Sequence, residues 1–574
     1  MKLIKISLCQ INSIVGDLDR NIKKIIDFSN KSKNSDFIIF PELSLSGYPP
    51  EDLLFKKHFV NDCKKTLINN LNKFPEDSFI FIGHPDFDEN GNVVNRLSVI
   101  LNGKIISHYD KINLPNYGVF DEKRYFKEGD SLKSIFWDKI NFSYNICEDI
   151  WVEDDLISAA KKIFLSDLII NISASPYYIN KHEERVNLFS KTTRKNRCIL
   201  AYCNLVGGQD ELIFDGNSFI LQEDKVIARG KSFEEDIVDA YIDVDSLFKE
   251  YEYNEFEVEK FKKIKKTEAI KVDKNFNNNK VEKNTFHKNI FSKEEEIFEA
   301  LKLAVRDYVH KNGFKKVIIG ISGGIDSALT SAICTFALGK ENVIGISMPS
   351  HFTSGETKSD ARILAENLGI EFYEIPISKI FNSYLEEFEP YFKGLPFNVA
   401  EENLQARIRG NILMAFSNKF GHLVITTGNK SELTVGYSTI YGDMAGGFSL
   451  IKDVPKMLVY DISKFINKKF KKEIIPETII KRAPSAELRP GQKDEDSLVP
   501  YPLLDKFLQL FIEEDRDLNY FDFLSKNDLK KLIRLVYLNE YKRRQAPVGP
   551  KITKRAFGKD RRYPITNHYR EIIK

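Results

Sequence analysis

Residues 316–327 read KVIIGISGGIDS, and the fold of the second half of the chain turns on them. KVIIGIS is short, nearly all apolar and rich in isoleucine and valine, as expected of a strand buried on both faces. GGIDS follows at once, and a helix is expected from Ser327 to about Leu338. Two adjacent glycines let the backbone approach an anion closely, and the N–H groups of the loop and first helical turn point at it. No Gly-Lys-Ser/Thr follows, so this is not the common P-loop, and the spaced glycines of dinucleotide-binding folds are missing too. Outward from this loop come a strand, VIGISMP (343–349), a helix, SDARILAENLG (359–369), and a strand, FYEIPI (372–377). That β-α-β-α-β alternation predicts a doubly wound parallel sheet with ligands at the carboxyl ends of its strands. Upstream, a capping-box pair, Ser292 and Glu295, opens a helix with apolar positions at Ile297, Leu301, Ala304, Val305 and Tyr308, which Asn312 and Gly313 end.

The chain has 574 residues, several times the usual domain size. Residues 1–245 carry many strand-like runs, among them KLIKISL, DFIIF, SFIFIG, RLSVILN, FSYNIC, DLIINIS, CILAYCN and NSFILQ, with helix-like stretches such as NIKKIIDFSNKSK between some of them. An α/β sandwich is expected there. Residues 246–290 are charged and Asn-rich without a sustained period, which predicts a linker between a first domain, 1–245, and a second, 291–574.

The 85 basic and 83 acidic residues leave a formal charge of +2, so no global field favours nucleic acid or an anionic membrane. Neither a secretory signal nor a membrane span is expected. The six cysteines are scattered without a CxxC pair, which suits a reducing cytoplasm better than a disulfide framework or a zinc site.

Strand-SGGxDS resembles the pyrophosphate-binding loop of the N-type ATP pyrophosphatases. EENLQARIRGN at 401–411, TTGNKSELTVGYSTIYGD at 426–443, MAGGFSLIKDVPK, RAPSAELRPGQKDEDSL at 482–498 and FGKDRR at 557–562 are similar to the NAD synthetase family, which has an adenine nucleotide α-hydrolase-like fold. By that resemblance Gly320, Ile321, Ser322, Gly323, Gly324, Ile325, Asp326 and Ser327 hold ATP together with Thr427, Lys456 and Ser485. Asn403, Arg407, Glu432, Tyr437, Ser438, Thr439, Ile440, Tyr441, Gly442, Asp443 and Lys559 hold the deamidated dinucleotide. Asp326 and Glu432 are the implied Mg²⁺ ligands, a donor set that suits a hard cation sharing phosphate oxygens. For Lys456 and Lys559 a solvated surface position is the competing reading.

In the first domain, YNICEDIW at 144–151 sets Cys147 after a strand-like run and before two acids, which would raise its pKa and make it a poor nucleophile. None of the nine histidines stands in a suggestive motif. Glu42 follows DFIIF, Lys111 follows ISHY, and Cys147 follows FSYNI, so an acid, an amine and a thiol occupy the same kind of strand end. Such a trio can do amide chemistry, with Glu42 as base, Cys147 as nucleophile and Lys111 stabilising the oxyanion. PELSLSGYPPEDL, KINLPNYGVFDEKRYF and ICEDIW resemble the nitrilase, or carbon–nitrogen hydrolase, family and within it the glutaminase branch fused to NAD synthetase. The resemblance implies an αββα sandwich, a homo-oligomer, Glu42, Lys111 and Cys147 as catalytic residues, and glutamine contacts from Tyr117, Glu148, Ser175 and Lys181. Ser173 and Arg185 are the alternatives to the last two.

Together the resemblances imply ATP-dependent amidation of deamido-NAD⁺ with ammonia from L-glutamine. Other amidotransferases of the ATP-pyrophosphatase type use a Cys-His-Glu triad or an N-terminal cysteine, and here the second residue is Lys2. A non-catalytic nucleotide-binding protein would have no need to keep Glu42, Lys111, Cys147, Asp326 and Glu432 together.

Overall fold

In the strand Leu3–Gln10, Ile4, Ile6 and Leu8 repeat with period two and are wholly buried. They share one apolar core with Phe37, Ile39, Phe79 and Phe81 on neighbouring strands and with Trp137, Phe142 and Tyr144 from a second sheet. A computed structural model of the chain describes residues 3–152, 156–244, 261–274, 277, 279, 282–288, 291–485, 487–489, 498–569 and 571. Within these the chain divides into two units, Met1–Gln209 with Ile213–Ile290, and Asp210–Leu212 with Phe291–Lys574.

The first unit holds a six-stranded sheet in the order Asp236–Asp243, Leu3–Gln10, Phe37–Ile39, Phe79–Phe87, Val93–Leu101, Lys104–Asp110. A seven-stranded sheet runs Lys225–Arg229, Phe219–Gln222, Ile199–Asn204, Leu168–Ser173, Ile140–Ile146, Ser131–Trp137, Lys266–Val272. The sheets meet face to face: Phe142 stands edge-on to Phe37 and Phe79, with ring centroids 5.0 and 5.1 Å apart. Helix Lys57–Asn69 packs on strand Phe79–Phe87, and helices Leu156–Phe164 and Lys181–Asn196 pack on strands of the other sheet. Covered on both faces, the inner strands read as continuous apolar runs, and the result is the expected αββα sandwich.

The segment read as a linker departs from expectation. Lys266–Val272 pairs in parallel with Ser131–Trp137, so part of 246–290 completes a sheet. KTEAIKV sits at the edge with most of its side chains at least partly exposed. Its backbone makes the ladder and needs few apolar residues, which is why composition hid it.

The second unit is built on a parallel sheet ordered Glu371–Glu374, Val343–Ser347, Val317–Gly320, Leu423–Thr426, Phe448–Ser449. Val317–Gly320 is the first strand in sequence and lies in the middle, so the winding reverses beside it. A crevice is expected at the carboxyl end of that switch point. Helix Lys293–Lys311 starts at Ser292, whose side chain accepts from the Glu295 N–H, and ends at Asn312. Helix Ile325–Leu338 begins two residues earlier than the sequence suggested, directly on the glycine loop.

Among the described residues no helix is long and apolar enough to cross a membrane. All six cysteines are free and buried.

Phe142→Ala should destabilise the first unit by about 3–5 kcal/mol, because Phe37 and Phe79 cannot close on the space it leaves. The chain has two tryptophans, Trp137 and Trp151, both in that unit. Urea unfolding followed by tryptophan fluorescence should therefore show a clearly lower midpoint, and an unchanged midpoint would contradict the packing described.

Candidate active sites

Glu42, Lys111 and Cys147 leave the ends of three strands of the first unit and converge in its interior. Glu42 lies beyond Phe37–Ile39, Lys111 follows Lys104–Asp110, and Cys147 follows Ile140–Ile146. The Lys111 ammonium donates to Glu42 Oε1 at 2.7 Å and to Glu122 Oε1 at 2.9 Å. Neither the Lys111 nor the Glu42 side chain is exposed at all. Asn95 Nδ2 also donates to Glu42 Oε1 (2.8 Å), and the Ala174 N–H donates to Oε2 (2.9 Å). Tyr48 donates its hydroxyl proton to Glu122 Oε1 (2.9 Å).

Burial alone would strip Lys111 of its proton, but Glu122 and Glu42 outweigh it and hold the amine well above its ordinary range. It is therefore an ammonium at neutral pH. Burial pushes Glu122 up to about 7, with Lys111 pulling the other way. Burial also raises the Cys147 thiol well above its usual value; Glu42, Glu148 and Glu122 add to the rise and Lys111 opposes it. The resting group is therefore a neutral thiol, and a thiol in that state would need a base to act as a nucleophile. Glu42, whose charge acts on that thiol, is itself fixed by three donors.

Cys147 opens the 3₁₀ turn Cys147–Ile150 with φ of 44°, a left-handed conformation rare for a side-chain-bearing residue. Tyr117 donates to Glu148 at 3.0 Å. Lys181 lies over the Trp151 ring at 3.9 Å and near Glu184, and burial lowers its pKa to about 8. Arg185 is committed to Asp215 at 2.8 Å and donates to the Ser175 carbonyl at 2.9 Å. Ser173 donates to Asn171 at 2.8 Å. Both alternatives thus have structural partners, with Arg185 backing Ser175.

In the second unit, the glycine loop and the end of strand Leu423–Thr426 line a cavity of about 310 Å³. Gly320, Ile321, Ser322, Gly323, Gly324, Ile325, Asp326, Thr427, Glu432, Tyr437, Gly442, Asp443, Lys456 and Ser485 are all on its wall. Ser327 and Ser438 line an adjoining cavity of about 110 Å³ that shares Asp326, Thr427 and Glu432. Gly323 has φ of 82°, and a Cβ there would stand 2.4 Å from the Thr357 carbonyl oxygen, so no other residue fits.

Lys456 is buried rather than solvated. Its ammonium sits between Asp326 Oδ2 at 2.5 Å and Glu432 Oε1 at 3.0 Å, and Asn429 donates to the other Asp326 oxygen at 2.8 Å. Burial opposes its charge, yet the two carboxylates raise its pKa. Among the described residues no group of three or more His, Cys, Asp or Glu could hold a metal unaided. Two carboxylates converging on one cation, beside a phosphate-type loop, do fit Mg²⁺ completed by nucleotide oxygens.

Asn403, Arg407, Thr439, Ile440, Tyr441 and Lys559 are outside both cavity walls. Thr439 donates to Asn403 (2.7 Å) and Arg407 Nε to the Ile440 carbonyl (3.3 Å), so this group ties helix Val399–Phe420 to the 437–443 turn. Lys559 pairs with Glu211 at 3.2 Å.

Three residues beside these groups carry no mark in the sequence. Glu122 lies inside the quoted KINLPNYGVFDEKRYF run but carries no local mark of its link to Lys111. Asn95 is an ordinary strand residue in sequence. Arg409 lines the large cavity and donates Nε to the Met348 carbonyl at 3.0 Å, while burial lowers its pKa to about 10. It is two residues from Arg407, and helix spacing alone does not say which of the two turns inward.

A carbon-nitrogen hydrolase model matches residues 5–248, and an NAD synthase model matches residues 297–546. The chain is 45% identical to the glutamine-dependent NAD(+) synthetase of Aquifex aeolicus over 583 residues, 99% of this chain and 100% of that one. It is also 45% identical to that of Thermotoga maritima over 591 residues, 100% of both. Among solved structures, the Acinetobacter baumannii glutamine-dependent NAD⁺ synthetase in complex with ADP aligns with a TM-score of 0.74 and 37% identity, covering 99% of each chain. The Cytophaga hutchinsonii glutamine-dependent NAD(+) synthetase, at 21% identity, TM-score 0.78 and 98% coverage of each chain, bears on the fold alone. With likeness of this degree along its whole length, and both halves of the architecture in place, this chain belongs to the glutamine-dependent NAD(+) synthetase family.

Proposed function

We propose that the chain makes NAD⁺ from deamido-NAD⁺, ATP and L-glutamine, releasing AMP, pyrophosphate and glutamate, the last step of NAD⁺ biosynthesis. The observation that carries this is the buried Lys111–Glu42 pair at 2.7 Å, acting on the Cys147 thiol, in a chain that also holds the glycine-loop cavity.

In the first unit, Glu42 takes the Cys147 proton as sulfur attacks the glutamine amide carbon. The Lys111 ammonium stabilises the oxyanion. Glu42 returns the proton to the departing nitrogen, leaving a thioester and ammonia, then draws a proton from water so that hydroxide releases glutamate and the thiol is restored. Glu122 holds Lys111, while Tyr117, Glu148, Ser175 and Lys181 bind the glutamine. In the second unit, the nicotinate carboxylate of deamido-NAD⁺ attacks the α-phosphorus of ATP and pyrophosphate leaves. Ammonia adds to the acyl adenylate and displaces AMP. The loop N–H groups of 320–327, with Thr427, Lys456 and Ser485, hold the ATP. Asn403, Arg407, Glu432, the 437–443 turn and Lys559 serve the dinucleotide. Asp326 and Glu432 would hold Mg²⁺, which supplies positive charge to the polyphosphate when bound. We place the protein in the cytoplasm, where six free buried cysteines stay reduced. We also expect a homo-oligomer, for which exposed Tyr391, Leu395, Phe397 and Val399 offer apolar surface.

Cys147→Ala should abolish NAD⁺ formation with glutamine and leave formation with ammonium within about 2-fold. Steady-state assays with each nitrogen source test this, and loss of neither, or no NAD⁺ from the unaltered protein, would overturn the proposal. Gly323→Ala should lose both activities by at least ~100-fold, since a misplacement of about 1 Å at the nucleotide costs that much; the check is the same pair of assays plus ATP binding by calorimetry.

Lys181 is the cation proposed to meet the glutamine carboxylate. Its lowered pKa of about 8 means the ammonium is present below that pH and lost as pH rises through it. The KM for glutamine should therefore climb above pH 8, and Lys181→Arg should flatten the climb; a profile unchanged by the substitution would remove Lys181 from the binding role.

A further inference from the structure

Asp149 is fully buried, and its carboxylate meets no ammonium or guanidinium within ion-pair distance among the described residues. Its three hydrogen bonds all come from strand ends that carry the catalytic groups. Oδ2 accepts from the Ile146 N–H at 3.1 Å, and Ile146 immediately precedes Cys147. Oδ1 accepts from the Asn113 N–H at 2.8 Å, two residues beyond Lys111. Oδ2 also accepts from the Tyr109 hydroxyl at 2.8 Å, two residues before Lys111. Strand Lys104–Asp110 belongs to the six-stranded sheet and strand Ile140–Ile146 to the seven-stranded one, so a single anion spans the two layers at the site.

We propose that Asp149 is a positioning residue for the glutaminase reaction, a carboxylate that fixes the Cys147 turn against the Lys111 loop. The proposal rests on the glutaminase reading above and adds a role to it.

Two features support it. Cys147 holds φ of 44°, a conformation unfavourable for an L-residue that persists only where surroundings impose it. The Asp149 bond to the Ile146 N–H closes the 147–150 turn across that residue. Secondly, burial pushes the Asp149 carboxyl up to about 6 while Tyr109 and the two N–H groups draw it down, so at neutral pH it is an anion able to accept all three. A buried anion held by two backbone N–H groups and one phenol, with no ion-pair partner among the described residues, is an expensive arrangement. A packing residue would not need it.

Asp149→Asn preserves size but sets an amide N–H against one backbone N–H. Tyr109→Phe removes the third contact and leaves both backbone contacts. In the full-length protein, Asp149→Asn should lower kcat for glutamine hydrolysis by at least ~50-fold, in line with the cost of small misplacements. The KM for glutamine should stay within about 3-fold and ammonium-supported NAD⁺ formation within about 2-fold, while Tyr109→Phe should lose less than about 5-fold in kcat. A wild-type kcat in Asp149→Asn, a KM effect without a kcat effect, equal loss of the ammonium reaction, or an equal fall in Tyr109→Phe would each overturn the proposal. Absence of glutamine hydrolysis in the unaltered protein would instead overturn the reading on which it rests.

Discussion

The buried ion pair between Lys111 and Glu42 is the constraint to which the first unit conforms. Taking an ammonium and a carboxylate out of water costs several kcal/mol per ion, offset only where every proton and lone pair finds a partner. Here the partners come from far apart in sequence: Asn95 and Lys111 from the six-stranded sheet, Glu122 from a 3₁₀ turn, and the Ala174 N–H from the end of strand Leu168–Ser173 in the other sheet. Glu42 can be satisfied only if both sheets hold their places. The same arrangement denies the pair to solvent and keeps its charges strong in a medium of low dielectric.

The second unit uses an ammonium between two carboxylates as well, but in a different setting. Lys456 is nearly buried, while Asp326 and Glu432 are each 18% exposed and face the nucleotide-sized cavity. Lys111 is enclosed and fixed. The carboxylates around Lys456 stand at an accessible wall, beside the strand at which the parallel sheet reverses its winding. One chain therefore carries two clusters of an ammonium between two carboxylates, the first closed to solvent and the second at the wall of a cavity.

Much of this was legible beforehand because it depends on local rules. All eight strand-like runs of the first domain occur as strands, since a layer covered on both faces demands unbroken apolar sequence. The glycine loop was readable because Gly323 needs a positive φ and room beside Thr357. Glu42, Lys111 and Cys147 were readable as strand-end residues, with the family resemblance to single them out. Edge strand Lys266–Val272 was missed because an exposed edge needs no apolar pattern. Glu122, Asn95 and Arg409 carry no local mark because their partners lie 11 to 74 residues away, or because it matters which side of a helix faces a cavity. Lys456 offered two readings, and its burial between Asp326 and Glu432 removes the solvated one.

YNICEDIW shows the division most plainly. The amino-acid sequence by itself determined the α/β class of both halves, the strand before Cys147, and the presence of an acid, an amine and a thiol at comparable strand ends, because apolar periodicity and turn chemistry act between neighbours. Only the tertiary structure decided that Glu42 and Lys111 meet beside Cys147, and that Asp149 faces inward to the Ile146 and Asn113 N–H groups. Electrostatic and hydrogen-bonding energies depend on separation in space and on solvent exclusion, and neither distance nor burial is written in the order of residues.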